Sequence, residues 1–363
     1  MSAAVSSRKA FTAAPLLAIL LALLAAPGDA RDESGRLDTL IYPSETRPVI
    51  VAPGGEFEAR LTEEARLRLR GPEATLALAV EWAPGPDGGV IAVCHLPNET
   101  PSGVYAMEAR IGDNDYRNER AVFVRSSFPE SYLVAHMADP EAALTDGDNG
   151  GEGNLEVLGD VVAAVNGSGA DLLLITGRLT ANGAPAEHRA FLDVAREAAI
   201  PVIVAAARSG PPGFDEADAF VGPPVQHVWF GRDAFLIFDG AYPAHGAAAL
   251  SMDARVHASR RETKPARWAV GVTDRYDQRL SMRQQISLFI DDPLDHLVVS
   301  APPPADPGEA GEDLAAAFPW GGVPISGGAS AAEGMIRYLE VGSAGIQPRP
   351  PEEAVSVAEP DEP

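Results

Sequence analysis

Apolar residues along this chain fall into two textures. From Ile41 to about Ser127, short runs such as Thr75-Leu76-Ala77-Leu78-Ala79-Val80 lie between frequent breaks at Pro53-Gly54-Gly55, Gly71-Pro72, Pro84 to Gly89, Pro97, Pro101 and Gly103. One run alternates, with Tyr105, Met107, Ala109 and Ile111 opposing Ala106, Glu108 and Arg110. Short strands with turn signals at this spacing predict a small all-β sandwich over residues 31–128. After Phe128-Pro129 the rhythm changes. Tyr132 to Met137 reads as a strand, and Leu155, Leu158, Val162 and Val165 mark one helix face. Asp171 to Thr176 is a buried-type strand, Pro185 to Ala199 a helix, and Pro201 to Ala206 another strand. Val228 to Phe230 and Phe235 to Phe238 predict a hairpin. Arg267 to Thr273, a helix over Ser281 to Ile290, and Asp295 to Ser300 repeat strand, helix, strand, and Met335 to Val341 is a last strand. This is the alternation of an α/β sheet with parallel pairs, over residues 129–347. Residues 348–363 are acidic and proline-rich, a composition that predicts a disordered tail.

The first thirty residues stand apart. Arg8 and Lys9 precede the apolar run from Leu16 to Ala26, and Gly28 and Ala30 offer small residues for cleavage. That order predicts a secretory signal peptide over residues 1–30, processed after Ala30. The run is shorter than the ~20 residues a membrane span needs. A periplasmic or secreted location follows, with no stable membrane insertion after cleavage.

Composition narrows the function. Asp and Glu number 52 against 28 Lys and Arg, a formal charge of -24. Polyanions are held through excess basic residues, so the balance argues against nucleic acid as a partner. The single cysteine, Cys94, excludes an internal disulfide and cysteine-pair zinc motifs. The seven histidines show no metal-ligand spacing, and neither a P-loop nor a Gly-x-Ser-x-Gly elbow is present. His136, inside a strand, reads as a satisfied core histidine. Asp146-Gly147-Asp148-Asn149-Gly150-Gly151 has part of a calcium loop, but Gly150 and Val157 fall where ligands belong.

In open α/β sheets, ligands bind beyond the carboxyl ends of the strands. There the chain reads His136-Met137-Ala138-Asp139-Pro140-Glu141, then Ile175-Thr176-Gly177-Arg178-Leu179-Thr180-Ala181-Asn182-Gly183, then Ala207-Arg208-Ser209-Gly210. Gly271-Val272-Thr273-Asp274-Arg275 and Val299-Ser300-Ala301-Pro302-Pro303-Pro304 complete the set. In scaffold this series resembles the calcineurin-like metallophosphoesterases, over roughly Ser131 to Val341. The resemblance implies an α/β metallophosphoesterase-like β-sandwich flanked by helices, preceded by an Ig-like sandwich of the kind placed before exported members. It also implies five ligand blocks, and these are degenerate. Asp139 holds the first block's Asp position, with Glu141 where the family has His. Arg178 stands where a metal-bridging Asp belongs. Arg208, Ser209 and Gly210 replace the third block, Asp274 an isolated His, and Ala301 to Pro304 a Gly-His-x-His.

The substitutions change the electrostatics at the centre. A two-metal hydrolase clamps cations ~3.5–4 Å apart with carboxylates and imidazoles. At 4 Å and an effective dielectric of 20, a guanidinium beside one divalent cation costs roughly 8 kcal/mol. Arginine does not deprotonate to escape it. The resemblance therefore implies a pseudoenzyme with no cofactor and no catalytic residue, binding or scaffolding an unidentified envelope or periplasmic partner. The alternative is a phosphoesterase rebuilt around one divalent metal on Asp139, Glu141 and Asp274. Asp139, Glu141 and Asp274 against Arg178, Arg208 and Arg275 balance in charge. They point either to a buried salt-bridge cluster in place of the metals or to an anion site.

Overall fold

The structure, a computed structural model, describes residues 28–29, 37–85, 88–144, 154–207, 216–222, 226–237, 266–273, 295–300 and 325–354. The amino-terminal part runs β1 (Gly28–Asp29), β2 (Leu40–Tyr42), β3 (Val49–Val51), β4 (Glu56–Leu61), β5 (Arg66–Arg70), β6 (Thr75–Ala77), β7 (Ala79–Pro84), β8 (Val90–His95), β9 (Gly103–Ile111) and β10 (Asn114–Val124). One sheet has the order β1-β10-β9-β5-β6 with β3 beside β10, the other β2-β4-β8-β7. Alternation does what period two requires. Leu67, Leu69, Met107 and Ala109 from the first sheet meet Phe57, Ala59, Leu61, Ala92 and Cys94 from the second in one buried cluster. Cys94 has no exposure, and burial pushes its thiol up to about 12. The short β1 lies along Tyr116 and Arg117, within the segment expected to be a leader.

The second part runs β11 (Tyr132–Ala138), α1 (Leu155–Gly167), β12 (Leu172–Gly177), α2 (Pro185–Ala195), β13 (Val202–Ala206), α3 (Glu216–Val221), β14 (Gln226–Phe230) and β15 (Asp233–Ile237). It continues with β16 (Ala269–Val272), β17 (His296–Val299), β18 (Ile325–Gly327), β19 (Ala329–Ser330), β20 (Met335–Gly342), β21 (Gly345–Pro348) and β22 (Glu352–Glu353). The plan is β-rich, with few helices and two further sheets. In one, β13-β12-β11 are parallel and β20 and β21 follow antiparallel. In the other, β14 and β15 form the expected hairpin and β15 to β18 run parallel.

The continuous apolar runs of β11, β12 and β13 are explained by burial on both faces. Val134, Leu172, Leu174, Ile203 and Leu339 pack on Phe235, Ile237, Val270 and Val298 of the second sheet. The opposite residues, Ala135, Met137, Leu173, Ile175 and Val204, pack under Leu158, Val161, Val162 and Val165 of α1 and Phe191 and Leu192 of α2. The helix expected over Ser281 to Ile290 lies outside the described residues. So do the Asp146 loop and the leader before Gly28. α2 stops at Ala195, four residues earlier than its pattern predicts. The backbone tightens there, with Glu197 donating to the Val194 carbonyl, and Ile200 before Pro201 is steered out of helical backbone. The expected tail also starts in an ordered way. Glu352–Glu353 pair with Met335 and Ile336, and Ala354 donates to the Gly334 carbonyl and packs against the helix-side core.

The two parts are joined closely. Val204 donates to the Thr46 carbonyl at 3.0 Å, Arg196 pairs with the buried Glu45 at 2.8 Å, and Arg125 pairs with Asp171 at 2.9 Å. Ile50 and Phe123 of the sandwich enter the core between the α/β sheets.

One polar group is set into that core. Asp233 has no exposure. Its Oδ1 accepts from Arg267 Nε at 2.9 Å and from the Trp268 amide at 3.2 Å. Its Oδ2 accepts from Arg267 Nη2 at 2.6 Å and from the Tyr132 hydroxyl at 2.8 Å. The hydrogen bond to Asp233 holds the Arg267 guanidinium above its ordinary pKa, and burial raises that of Tyr132. Asp233→Ala should cost about 3–5 kcal/mol, the scale for breaking a buried pair from one side, whereas Tyr132→Phe should cost only about 1 kcal/mol. Denaturant titration of both variants measures the difference.

Candidate functional site

The carboxyl ends of β11, β12 and β17 converge as the fold class requires, and backbone geometry sets what meets there. The β11–β12 ladder runs past the strands. Asp139 donates its amide to the Thr176 carbonyl, Glu141 to Arg178, and Ala142 to Leu179. To keep this register around Pro140, Asp139 and Glu141 both adopt left-handed backbone, with φ of 46° and 47°. Such conformations are uncommon outside glycine and are found where surrounding structure over-determines them.

The resulting geometry separates two kinds of carboxylate. Asp139 Oδ1 accepts the Arg178 backbone amide at 2.8 Å, so this side chain ties the end of β11 to the end of β12. Glu141 pairs with the Arg178 guanidinium. That pair is open to solvent, with the Arg178 side chain 56% exposed and Glu141 30%. A buried plug centred on Arg178 is therefore not what forms. The chain direction after Gly177, fixed by the ladder, carries the guanidinium outward. Arg208, Asp274 and Arg275 lie outside the described residues, as do Ser209, Gly210 and Ala301 to Pro304.

Below the rim the crevice is tightly filled. Gly177 has φ of 90°, and a Cβ there would run into the Asp139 carboxylate and come within 2.9 Å of Ser300 Cβ. A Cβ at Gly328 would run into Ala138 and come within 3.1 Å of His136 Cε1. His136, Thr176 and Ser300 are buried here, and His136 Nε2 lies 2.9 Å from Thr176 Oγ1. The expected core histidine is only half satisfied, because Nδ1 has no hydrogen-bond partner. Directly across the strand pair stands Arg337 of β20. Burial first, and the Arg337 charge second, push the His136 pKa down to about 3. The imidazole is neutral at ordinary pH. Burial also lowers the Arg337 pKa.

Arg337 is the residue that reading the strand ends missed. It precedes the turn side of no strand end. It is the third residue of an antiparallel strand, Met335–Gly342, that runs back through the site. The available signal was one charged residue among the inward positions Arg337, Leu339 and Val341. Among the described residues, no three His, Cys, Asp or Glu side chains converge as a metal-binding group. The donors that are described do not fit a pair of divalent cations. One carboxylate accepts the Arg178 backbone amide, another is paired with the Arg178 guanidinium, and a second guanidinium, Arg337, stands across the strand pair from His136.

A second concavity lies elsewhere. A cleft of about 900 Å³ opens between the sandwich and the α/β part, walled by β3, Phe57, Phe128, Trp229 and Arg267. Phe128 to Glu130 lead into β11 and Arg267 precedes β16, so it lies at the amino ends of those strands, opposite the crevice.

No family model matches the chain, and no curated protein sequence matches it. Among solved structures it is similar to a purple acid phosphatase from yellow lupin (Lupinus luteus) seeds, at 12% identity and a TM-score of 0.39. That likeness covers 68% of this chain and 55% of the phosphatase. A protein assigned as an alpha-galactosidase/melibiase from Bacteroides fragilis is similar at 10% identity and a TM-score of 0.20, over 77% of this chain and 56% of that one. The chain thus spans little more than half of either. Both likenesses are remote, and the functional reading rests on the residues.

Two measurements check the site. Arg178→Ala should change stability by less than about 1 kcal/mol, as for an exposed pair, in a denaturant titration. His136 has its pKa lowered from 6.5 to about 3 on folding, so its contribution is complete above pH 6.5 and is lost as pH falls toward 3. Stability should drop over that window with a slope approaching ~1.4 kcal/mol per pH unit, and His136→Asn should flatten it. His296, lowered to about 4 by burial, adds a slope of the same sign in both proteins.

Proposed function

We propose that this chain is an exported, metallophosphoesterase-like protein that does not hydrolyse phosphoesters and acts as a binding or scaffolding module in the periplasm or outside the cell. The observation that carries the reading is the charge arrangement at the strand ends. Arg178 occupies the position that the family resemblance gives to a bridging carboxylate, and its own partner is Glu141. Asp139, the residue best placed to be a ligand, is engaged by the Arg178 amide. Arg337 adds a second fixed cation on the inner side. Among the described residues, the fixed cations Arg178 and Arg337 disfavour a divalent metal, and each nearby carboxylate already has a partner on Arg178. The basic start and short apolar run at the amino terminus support export. Among the described residues, no helix is long and apolar enough to cross a membrane.

The test is elemental analysis and phosphatase assay on protein purified without chelator. The expected result is well under one metal per chain, with no turnover of phosphomonoesters or phosphodiesters under manganese, zinc, iron or magnesium. Stoichiometric metal together with turnover abolished in Asp139→Ala would establish the rebuilt mononuclear site instead.

A further inference from the structure

The outer face of the sandwich carries a charge pattern opposite to that of the whole chain. β5 reads Arg66-Leu67-Arg68-Leu69-Arg70. Leu67 and Leu69 are buried in the sandwich core, so the three arginines stand on the other face. Register places Arg66 opposite Arg110 and Arg68 opposite Glu108 on β9, while on β10 Asp115 faces Arg110 and Arg117 faces Glu108. Glu108, its side chain 2% exposed, is the hub. It pairs with Arg68, and lies 3.5 Å from Arg70 and 3.9 Å from Arg117. Asp115 lies 3.5 Å from Arg68, and Glu119 lies 2.7 Å from Arg117.

That sets five arginines beside three carboxylates, which pair with Arg68, Arg70 and Arg117 alone among the described residues, in a chain where acids outnumber bases 52 to 28. Arg66 and Arg110 are exposed, and neither has an ion pair among the described residues. Arg110 Nε reaches the Gly112 carbonyl oxygen at 3.4 Å. Like charges directly opposite each other in a sheet are destabilising, so this register is unfavourable for the isolated chain. Farther along the same face Ile50, Val104 and Phe123 are covered by the α/β part. The arginine half extends beyond that cover.

We infer that this arginine face is a docking surface for an extended acidic peptide with carboxylates at alternate positions. Alternate residues on a strand recur every ~6.8 Å, so Arg66, Arg68 and Arg70 set cations at the step with which such a peptide sets its acids. The guanidinium fork matches carboxylate geometry. The neighbours on this part of the face are Ala106, Thr75 and Ala77. They offer no aromatic platform for unstacked bases and no apolar face for a lipid surface. The inference stands whether or not the strand-end crevice has lost its chemistry.

The experiment is calorimetric titration of the full secreted chain with a synthetic peptide of alternating Glu and Thr. Binding is expected, weakened by added salt. Arg66→Glu/Arg110→Glu should lose at least about tenfold in affinity, and Arg66→Ser/Arg110→Ser should lose less. Neither residue has an ion pair among the described residues, so both double variants should still fold, and a cooperative thermal transition for each separates lost binding from lost structure. Arg178→Glu, on the other part, should bind as wild type. Equal binding by the double variants, or by a peptide of the same composition with its acids in one block, would overturn the inference. Binding of polygalacturonate with none of the peptide, or saturation of the face by a second copy of the chain, would overturn it equally.

Discussion

Asp233 sits where two sheets and a linker have to agree. It belongs to β15, its hydroxyl donor Tyr132 opens β11 in the facing sheet, and its guanidinium donor Arg267 precedes β16 and also reaches the Glu130 carbonyl. A carboxylate without water is tolerable only when its lone pairs are filled and its charge is met, and here four hydrogen bonds from three residues do both. The pairing defines how the second sheet slides and turns on the first, because hydrophobic contacts such as Phe235 on Leu174 have no direction of their own. Everything described at either end of the strands inherits that alignment.

The crevice at the carboxyl ends shows what a fold demands independently of chemistry. Gly177 and Gly328 are required by close approach, and the left-handed backbone at Asp139 and Glu141 is required by the continued ladder. These constraints persist whatever side chains are present, so the backbone of the crevice does not depend on which polar groups stand at its rim. The same economy appears on the sandwich, where inward leucines hold the sheet and outward positions are free to carry charge.

The apolar runs were sufficient to place β11, β12, β13 and the β14–β15 hairpin, since a strand buried on two faces has to be apolar throughout. They also located the strand-end residues. They could not say where Arg178 points, because the direction of a side chain after Gly177 depends on a ladder with Glu141 that no local pattern encodes. Arg337 escaped for a related reason: an antiparallel strand brings its first residues, not its last, to the crevice. The cleft at the amino ends is formed by residues from both parts of the chain and has no contiguous sequence signature. The arginines of β5 were visible as letters, but their juxtaposition with Arg110 is a matter of register.

That cleft takes its walls from both parts of the chain, whose cores meet at Ile50 and Phe123. A molecule touching both walls would be bound only by the docked arrangement, so its occupancy and the docking of sandwich to α/β part become a single linked equilibrium. Each would strengthen the other by RT ln(1 + [L]/Kd). The sandwich is then one wall of a shared site, and the hydrogen bond from Val204 to Thr46 and the pair of Arg196 with Glu45 are among the contacts that hold it to the other.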